Sequence, residues 1–145
     1  MIPRYTRPDM AAIWADENRF AIWLRIEVLA CEQMNRLGEI PAADLRNIRT
    51  RAKFDVSRID EIESRVHHDV IAFLTNVGEH VGPSARFIHK GLTSSDVLDT
   101  ALAVQMVQAA DLLIRGARAV RAAAGRKAKK HKFTPMMGQI GRAHV

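Results

Sequence analysis

Cysteine is nearly absent from this sequence, since Cys31 is the only one among 145 residues. A single cysteine excludes an intrachain disulfide framework and a cysteine-rich zinc module, and it is typical of a protein in a reducing cytosol. The N-terminus has no apolar signal core, and no stretch approaches the roughly 20 uncharged apolar residues that span a bilayer. We therefore expect a soluble, cytoplasmic protein with no membrane partner.

Acidic residues are missing after Asp111. The net charge is +6, yet residues 1–111 contain 13 basic and 16 acidic residues, so the basicity belongs to the remaining stretch, which has nine basic residues. Eight of these could contact a phosphate backbone. They are Arg115, Arg118, Arg121, Arg126, Lys127, Lys129, Lys130 and Lys132. No aromatic residues interleave them and the first ones recur at three-residue steps, which favours a solvated helix face and no nucleic-acid partner.

Strand-like alternation is also missing, and almost every periodic segment indicates an α-helix. Pro8 suits the first turn of a short helix, because its missing N–H would be unpaired there in any case. Asp16 is the expected N-cap of a second helix, which Gly38 ends. Pro41 opens a third, shorter helix.

A longer amphipathic pattern follows Asp55, and its spacing predicts one long helix that Gly82 and Pro83 stop. Its apolar residues are Val56, Ile59, Ile62, Val66, Val70, Phe73, Leu74 and Val77. Between residues 84 and 92 the periodicity disappears, which predicts an ordered loop ending at Gly91.

The last pattern runs from Ser95 to about Lys130 without proline or a turn cluster, and it predicts one helix of roughly 50 Å. A compact domain of this size is narrower than that, so the helix must bury its apolar side against helices outside these residues. We therefore predict an all-α protein with an N-terminal helical domain at residues 1–93. Residues 94–138 would begin a helical bundle.

Two clusters in the N-terminal half carry side chains suited to chemistry. Arg4 and Tyr5 also have a plain interpretation as a surface cation and a packing ring. On one regular helix His67 and His68 would point about 100° apart, so at most one could share the apolar face. His68 with Asp69 has the side chains that usually transfer protons near neutral pH, although a satisfied or solvent-facing histidine is commoner than a catalytic one.

A third cluster lies at the start of the last helix. Thr93 and Asp96 match the [ST]-x-x-[DE] capping pattern, which by itself explains both residues. Bare backbone N–H groups, the hydroxyls of Thr93 and Ser94, and the positive end of the helix dipole also favour an anion such as a carboxylate or phosphate. His89, a few residues upstream, can add a charge-assisted hydrogen bond.

Patterns for metal and nucleotide binding are absent from the sequence. Adjacent His67 and His68 cannot both ligate from one regular helix face, and H-E-x-x-H does not occur. There is no G-x-x-x-x-G-K-[ST] loop, no G-x-G-x-x-G loop and no G-x-S-x-G elbow. We expect no metal site.

Taken together, these clusters resemble the adenylosuccinate lyase family of the fumarase/aspartase superfamily, over residues 1–138. The Thr-Ser-x-Asp turn is shared across that superfamily, whereas the opening Arg-Tyr and the His-Asp-Val segments are typical of this family. The matching segments are Ile2–Met10, Ile13–Phe20, His68–Phe73, His89–Val97 and Lys130–Gly138. The resemblance implies that residues 94–138 begin the first long helix of a fumarase/aspartase-type central bundle.

The resemblance also implies a reaction, the β-elimination of fumarate from adenylosuccinate to give AMP. The succinylated aminoimidazole carboxamide ribotide of purine biosynthesis would be a second substrate, and no cofactor is needed. By the same resemblance Arg4, Tyr5 and His89 would bind the phosphate end, and Thr93 and Ser94 a succinyl carboxylate. Beside the reacting centre, His68 would transfer a proton or orient the substrate. His67 and Asp69 would also line the substrate site.

The chain departs from the family after Gly138. The family continues with Arg-Thr/Ser-His-Gly, whose histidine is an essential proton carrier, but here Gly141 takes that place. We therefore expect residues 139–145 to be a non-native tail. The family's signature loop with its catalytic serine is missing too, and its active sites combine segments from three subunits of a homotetramer, so the isolated chain is predicted to be inactive.

The alternative is a non-enzymatic helical interaction module. Its basic helix would bind nucleic acid or an acidic partner, with an affinity that falls steeply with salt.

Overall fold

A computed structural model describes residues 2–135, which form α-helices and short 3₁₀ segments without a strand. This confirms the prediction of an all-α fold. The elements are a 3₁₀ turn at Pro3–Tyr5, α1 (Pro8–Ile13), α2 (Asp16–Arg36), α3 (Ala42–Arg51), α4 (Val56–Val66), α5 (Asp69–Val81), a 3₁₀ segment at Gly82–Phe87 and α6 (Ser94–Lys130). The expected tail at residues 139–145 lies outside the described residues.

The predicted single helix after Asp55 is wrong, because it is broken at the paired histidines into α4 and α5. His67 takes the left-handed conformation, with φ 52° and ψ 39°, and its N–H donates to the Glu63 carbonyl. His68 is extended and is the N-cap of α5. The apolar spacing continues across the break, and no proline or glycine lies there. The sequence pattern therefore gave no indication that the helix breaks at these residues.

Two smaller expectations at helix ends also need correction. Asp16 is the first residue of α2 rather than its cap, since the N-cap is Ala15 and makes no side-chain bond. Part of the predicted loop after residue 84 belongs to the 3₁₀ segment Gly82–Phe87. The start of α3 after Pro41 and the long helix α6 are confirmed.

An aromatic cluster from α2 and α5 occupies the centre of the core. The Phe20 and Phe73 rings stack with centroids 5.7 Å apart, and Trp23 meets Phe73 edge-on at 5.5 Å. All three side chains are buried, and Val97 and Ala101 of α6 join the same core. The start of α6, where the anion-binding turn was predicted, is therefore fixed to the N-terminal helices by apolar packing.

The chain separates into two compact units, one up to Ala109 and one from Ala110 onwards. In the first unit Gln105 of α6 is buried and donates to the Ile13 carbonyl at 2.7 Å. Asn18 donates to the same carbonyl and to the Gln108 side chain. In the second unit nearly every described residue is exposed. The domain boundary between residues 93 and 94 stays a prediction.

By length and composition alone, α6 could cross a membrane, since one 18-residue window has a mean hydropathy of 1.5. Core helices of soluble proteins pass the same test. In this chain Val97, Ala101 and Gln105 of α6 are buried against other helices of the first unit.

Arg58 ties α4 to α5 through two carboxylates, and this network predicts an acid-sensitive step in stability. Its guanidinium bonds Glu79 at 2.6 Å and Glu61 at 2.7 Å. These bonds lower the pKa of both carboxyls below their ordinary 4.5. A carboxyl whose pKa is depressed by folding stabilises the fold above its unfolded pKa and loses that contribution as the pH falls through the folded value.

We therefore expect the free energy of unfolding to decline below about pH 4.5. Arg58→Met should make this decline shallower, whereas Arg46→Met, at an exposed site on α3, should not. Urea titrations between pH 3 and 7 would measure both, and an unchanged slope in Arg58→Met would contradict the assignment.

Candidate functional site

The turn that begins α6 has one of the two bonds of the capping box that the Thr93–Asp96 pattern predicts, since the Asp96 N–H donates to the Thr93 backbone carbonyl and not to its hydroxyl. The Thr93 N–H and hydroxyl donate to Asp96 Oδ2 at 2.7 and 3.1 Å. These two bonds are the main reason that the pKa of Asp96 is lowered, and the charge of His89 adds to it. Because Asp96 occupies both donors of Thr93, the donors of this turn that have no partner among residues 2–135 are the hydroxyls and N–H groups of Ser94 and Ser95.

His89 lies just before this turn and is held by a buried carboxylate. Its Nδ1 lies 2.6 Å from Glu27 Oε1, and its backbone N–H donates to Glu27 Oε2 at 2.8 Å. Glu27 is 1% exposed, whereas the His89 side chain keeps 20% of its surface. His89 itself has a positive φ of 64°.

Glu27 is a residue that the sequence interpretation missed, although the pattern contained a signal. It falls on the apolar stripe of α2, four residues after Trp23 and four before Cys31, both of which are buried. A glutamate at such a position must find a partner inside the protein. Burial and the neighbouring Glu27 also raise the pKa of the Cys31 thiol to about 11, so this cysteine stays protonated at neutral pH.

His68 and Asp69 lie together at the break between α4 and α5. His68 Nδ1 is 3.6 Å from Asp69 Oδ1 and accepts the Ile71 N–H at 3.4 Å. A neutral imidazole that accepts at Nδ1 carries its proton on Nε2. About half of the His68 side chain is exposed. Nε2 of His68 can therefore exchange a proton with a ligand.

His67 does not share a helix with His68, so the predicted 100° angle between them does not apply. It is exposed and lines a shallow depression with Asp60, Glu63 and Ser64. Two carboxylates in that lining make the depression a poor place for an anion.

Arg4 and Tyr5 lie in the first 3₁₀ turn and are exposed, Tyr5 to 73%. The Arg4 guanidinium sits 4.7 Å from the centre of the Tyr5 ring. Thr6 closes this turn by donating to the Ile2 carbonyl at 2.9 Å.

The structure thus has three separate clusters: Arg4–Tyr5, His67–Asp69 and His89–Ser94. It brings His89 beside the α6 turn, as predicted. Within residues 2–135 no hydrogen bond or ion pair joins one cluster to another, and no group of three or more His, Cys, Asp and Glu side chains is arranged to hold a metal ion.

Comparison with known proteins identifies the fold. The structure superimposes on the crystal structure of a fumarate lyase from Mesorhizobium sp. BNC1 with a TM-score of 0.80 and 26% identity, over 90% of this chain and 31% of that one. This agrees with the predicted fumarase/aspartase-type domain.

The relatives found by sequence are lyases, like the relative found by structure. Over all 145 residues the chain is 48% identical to adenylosuccinate lyase of Bacillus subtilis and 49% identical to that of Synechocystis sp.. The chain spans about a third of the length of these relatives, 34% in each case. Residues 4–144 match the family described as Lyase. The chain therefore belongs to this lyase family.

Proposed function

We propose that this chain is the N-terminal third of an adenylosuccinate lyase, which releases fumarate from adenylosuccinate and from the succinylated aminoimidazole carboxamide ribotide. The observation that carries the proposal is the 48–49% identity to two such enzymes along the whole chain. Each of the three clusters has at least one exposed residue, which supports the proposal because each can meet a ligand from solvent.

The elimination needs a base, an acid and donors that stabilise developing negative charge. We assign proton transfer or orientation of the reacting group to His68, with Asp69 beside it. Ser94 and Thr93 would receive a succinyl carboxylate at the start of α6, where the helix dipole favours an anion. Thr93 would then exchange its bond to Asp96 for one to the substrate. No step calls for a cofactor.

Arg4, Tyr5 and His89 would bind the phosphate end of the nucleotide. His67 would lie at the edge of the site, next to the acidic depression described above. Because no hydrogen bond or ion pair joins the three clusters among residues 2–135, we infer that they belong to different active sites of a homotetramer. Each of these sites would combine segments from three subunits.

Exposed apolar side chains along α6 support such an assembly, since large ones on a soluble protein usually mark an interface. They are Leu102, Met106, Val107, Leu113, Ile114 and Val120. A cytoplasmic location fits this assignment, and no membrane partner is needed.

The proposal is tested by joining residues 1–138 to the remaining two thirds of the Bacillus subtilis relative. This chimaera is expected to release fumarate from adenylosuccinate, whereas the isolated 145-residue chain is not. Ser94→Ala should lower kcat/KM about tenfold or more, because it removes a donor to a charged group. Thr100→Val removes an exposed hydroxyl from α6 and should have no effect.

A folded chimaera without lyase activity would contradict the proposal. Fumarate release by the isolated chain would overturn the separate prediction that this chain alone is inactive.

The alternative function, a basic interaction module, has one observation in its favour. The eight basic residues from Arg115 to Lys132 are all exposed, and none forms an ion pair within the described part of the chain. Binding to any duplex that weakens steeply with salt would favour this function. Weak, salt-insensitive binding of AMP would favour the lyase.

A further inference from the structure

We propose that Glu27 is a positioning residue that fixes the ring of His89 and the turn leading into α6. The expected effect of Glu27 on substrate binding rests on the proposed function, but its expected effect on the proton position of the His89 ring does not. The proposal comes from the two contacts that the Glu27 carboxylate makes with His89.

The two carboxylate oxygens of Glu27 contact different parts of His89, one the backbone and the other the ring. Oε2 accepts the backbone N–H at 2.8 Å, and Oε1 lies 2.6 Å from Nδ1. An ionised carboxylate only accepts hydrogen bonds, so Nδ1 of His89 carries a hydrogen. Nε2 makes no hydrogen bond within residues 2–135 and is not among the buried atoms that lack a partner. The ring therefore offers Nε2, and only Nε2, to a ligand.

The backbone contact stabilises an unfavourable conformation. A residue other than glycine in the left-handed region is strained, and it persists where surrounding contacts hold it. The bond from the His89 N–H to Glu27 is such a contact, and the Leu92 N–H bonds the His89 carbonyl at 3.3 Å. Glu27 thus fixes the direction of the chain from His89 toward Thr93.

Burying the charge of Glu27 costs free energy that a side chain needed only for packing would not cost. It lies on the apolar stripe of α2 and is buried as completely as Trp23 and Cys31. A buried carboxylate destabilises a fold unless it is paired, and an apolar side chain of similar size would pack as well without that cost. The pairing with His89 is what this carboxylate adds.

Glu27→Gln tests the proposal on the ring, because the two side chains have the same shape. The amide oxygen can still accept the His89 N–H, but the NH₂ group must then donate to Nδ1, which has to give up its hydrogen. In ¹⁵N-histidine spectra of the 145-residue chain, we expect His89 to be protonated at Nδ1 in the wild type. In Glu27→Gln it should be protonated at Nε2 alone.

The matched control is Glu32→Gln, which removes a carboxylate from the same helix where it pairs with Arg49 at 3.4 Å. It should leave the His89 spectrum unchanged. The proposal is overturned if His89 has the same proton position with glutamine as with glutamate at residue 27.

Should Glu27→Gln fail to fold, Glu27→Met combined with His89→Gly tests the same coupling. Methionine leaves no buried charge, and glycine adopts the positive φ without strain. Recovery of folding in the double variant, compared with Glu27→Met alone, supports the proposal. Failure of the double variant to fold better than the single one overturns it.

The consequence for binding is measured in the chimaera. Residues that orient a metal-binding histidine change affinity or activity about 10–100-fold when mutated, and we expect an effect at the lower end of that range for a histidine that binds an anion. If His89 contacts the remote phosphate end, Glu27→Gln should raise KM about tenfold and leave kcat unchanged. A variant that only reduced the amount of folded enzyme would lower the apparent kcat at constant KM, and that result would overturn this consequence. Loss of activity in the chimaera with Glu27 intact would instead contradict the proposed function and leave the spectroscopic result standing.

Discussion

Phe73→Ala is expected to lower the free energy of unfolding by about 3–5 kcal/mol, the range for a fully buried aromatic ring. Phe73 is fully buried and lies against both Phe20 and Trp23. Removing its ring would leave a cavity between α2 and α5, which the rigid neighbouring rings cannot fill. Because the total free energy of unfolding of a typical domain is only about 5–15 kcal/mol, this loss is large.

Ile71→Ala is the matched control, since Ile71 lies on the same helix but is 46% exposed. It should cost no more than about 1 kcal/mol, because half of its surface is already in water. Urea denaturation followed by circular dichroism would measure both variants. Equal losses in the two would show that the aromatic cluster is not the centre of the core.

His68→Asn in the chimaera is expected to lower the rate of fumarate release by about 10²–10⁴-fold, the usual contribution of a positioned proton-transfer group. Asparagine cannot exchange a proton but remains a good N-cap, so α5 should keep its stability. The variant thereby separates the capping role of His68 from its proposed role in proton transfer.

His68→Ala removes the cap as well as the proposed proton-transfer group. It should therefore lose about 0.5–2 kcal/mol of unfolding free energy in addition to the activity. Initial rates of fumarate release and urea midpoints would be compared for both variants. Nearly full activity in His68→Asn would exclude proton transfer by this residue.

The sequence predicted most of the helices because their signals are local. Proline at the start of α1 and before α3, and glycine after α2, determine the backbone at those points whatever the chain packs against. The length of α6 also followed from the absence of proline and of a turn cluster between Ser95 and Lys130. The all-α class, and the pairing of Thr93 with Asp96, needed no tertiary information.

The remaining features depend on contacts between distant residues. The break at His67 is one, because the apolar stripe continues through it and only the packing of α5 against α4 reverses the chain there. The pairing of Glu27 with His89 is another, since 62 residues separate them and neither position has a local signal for the other. The sequence indicates that Glu27 needs a partner, but the fold determines which one.

The hydrogen bonds from α6 to the N-terminal helices have a consequence for how the chain acquires its structure during synthesis. Gln105 reaches the Ile13 carbonyl across 92 positions, and Asn18 meets Gln108 across 90. Contacts this far apart in sequence form late. On the ribosome, the end of α1 is held by Asn18 of α2 alone until the opening turns of α6 have emerged. A polypeptide released earlier, before residue 105, would keep that bond but lack the second one, from Gln105 to the Ile13 carbonyl.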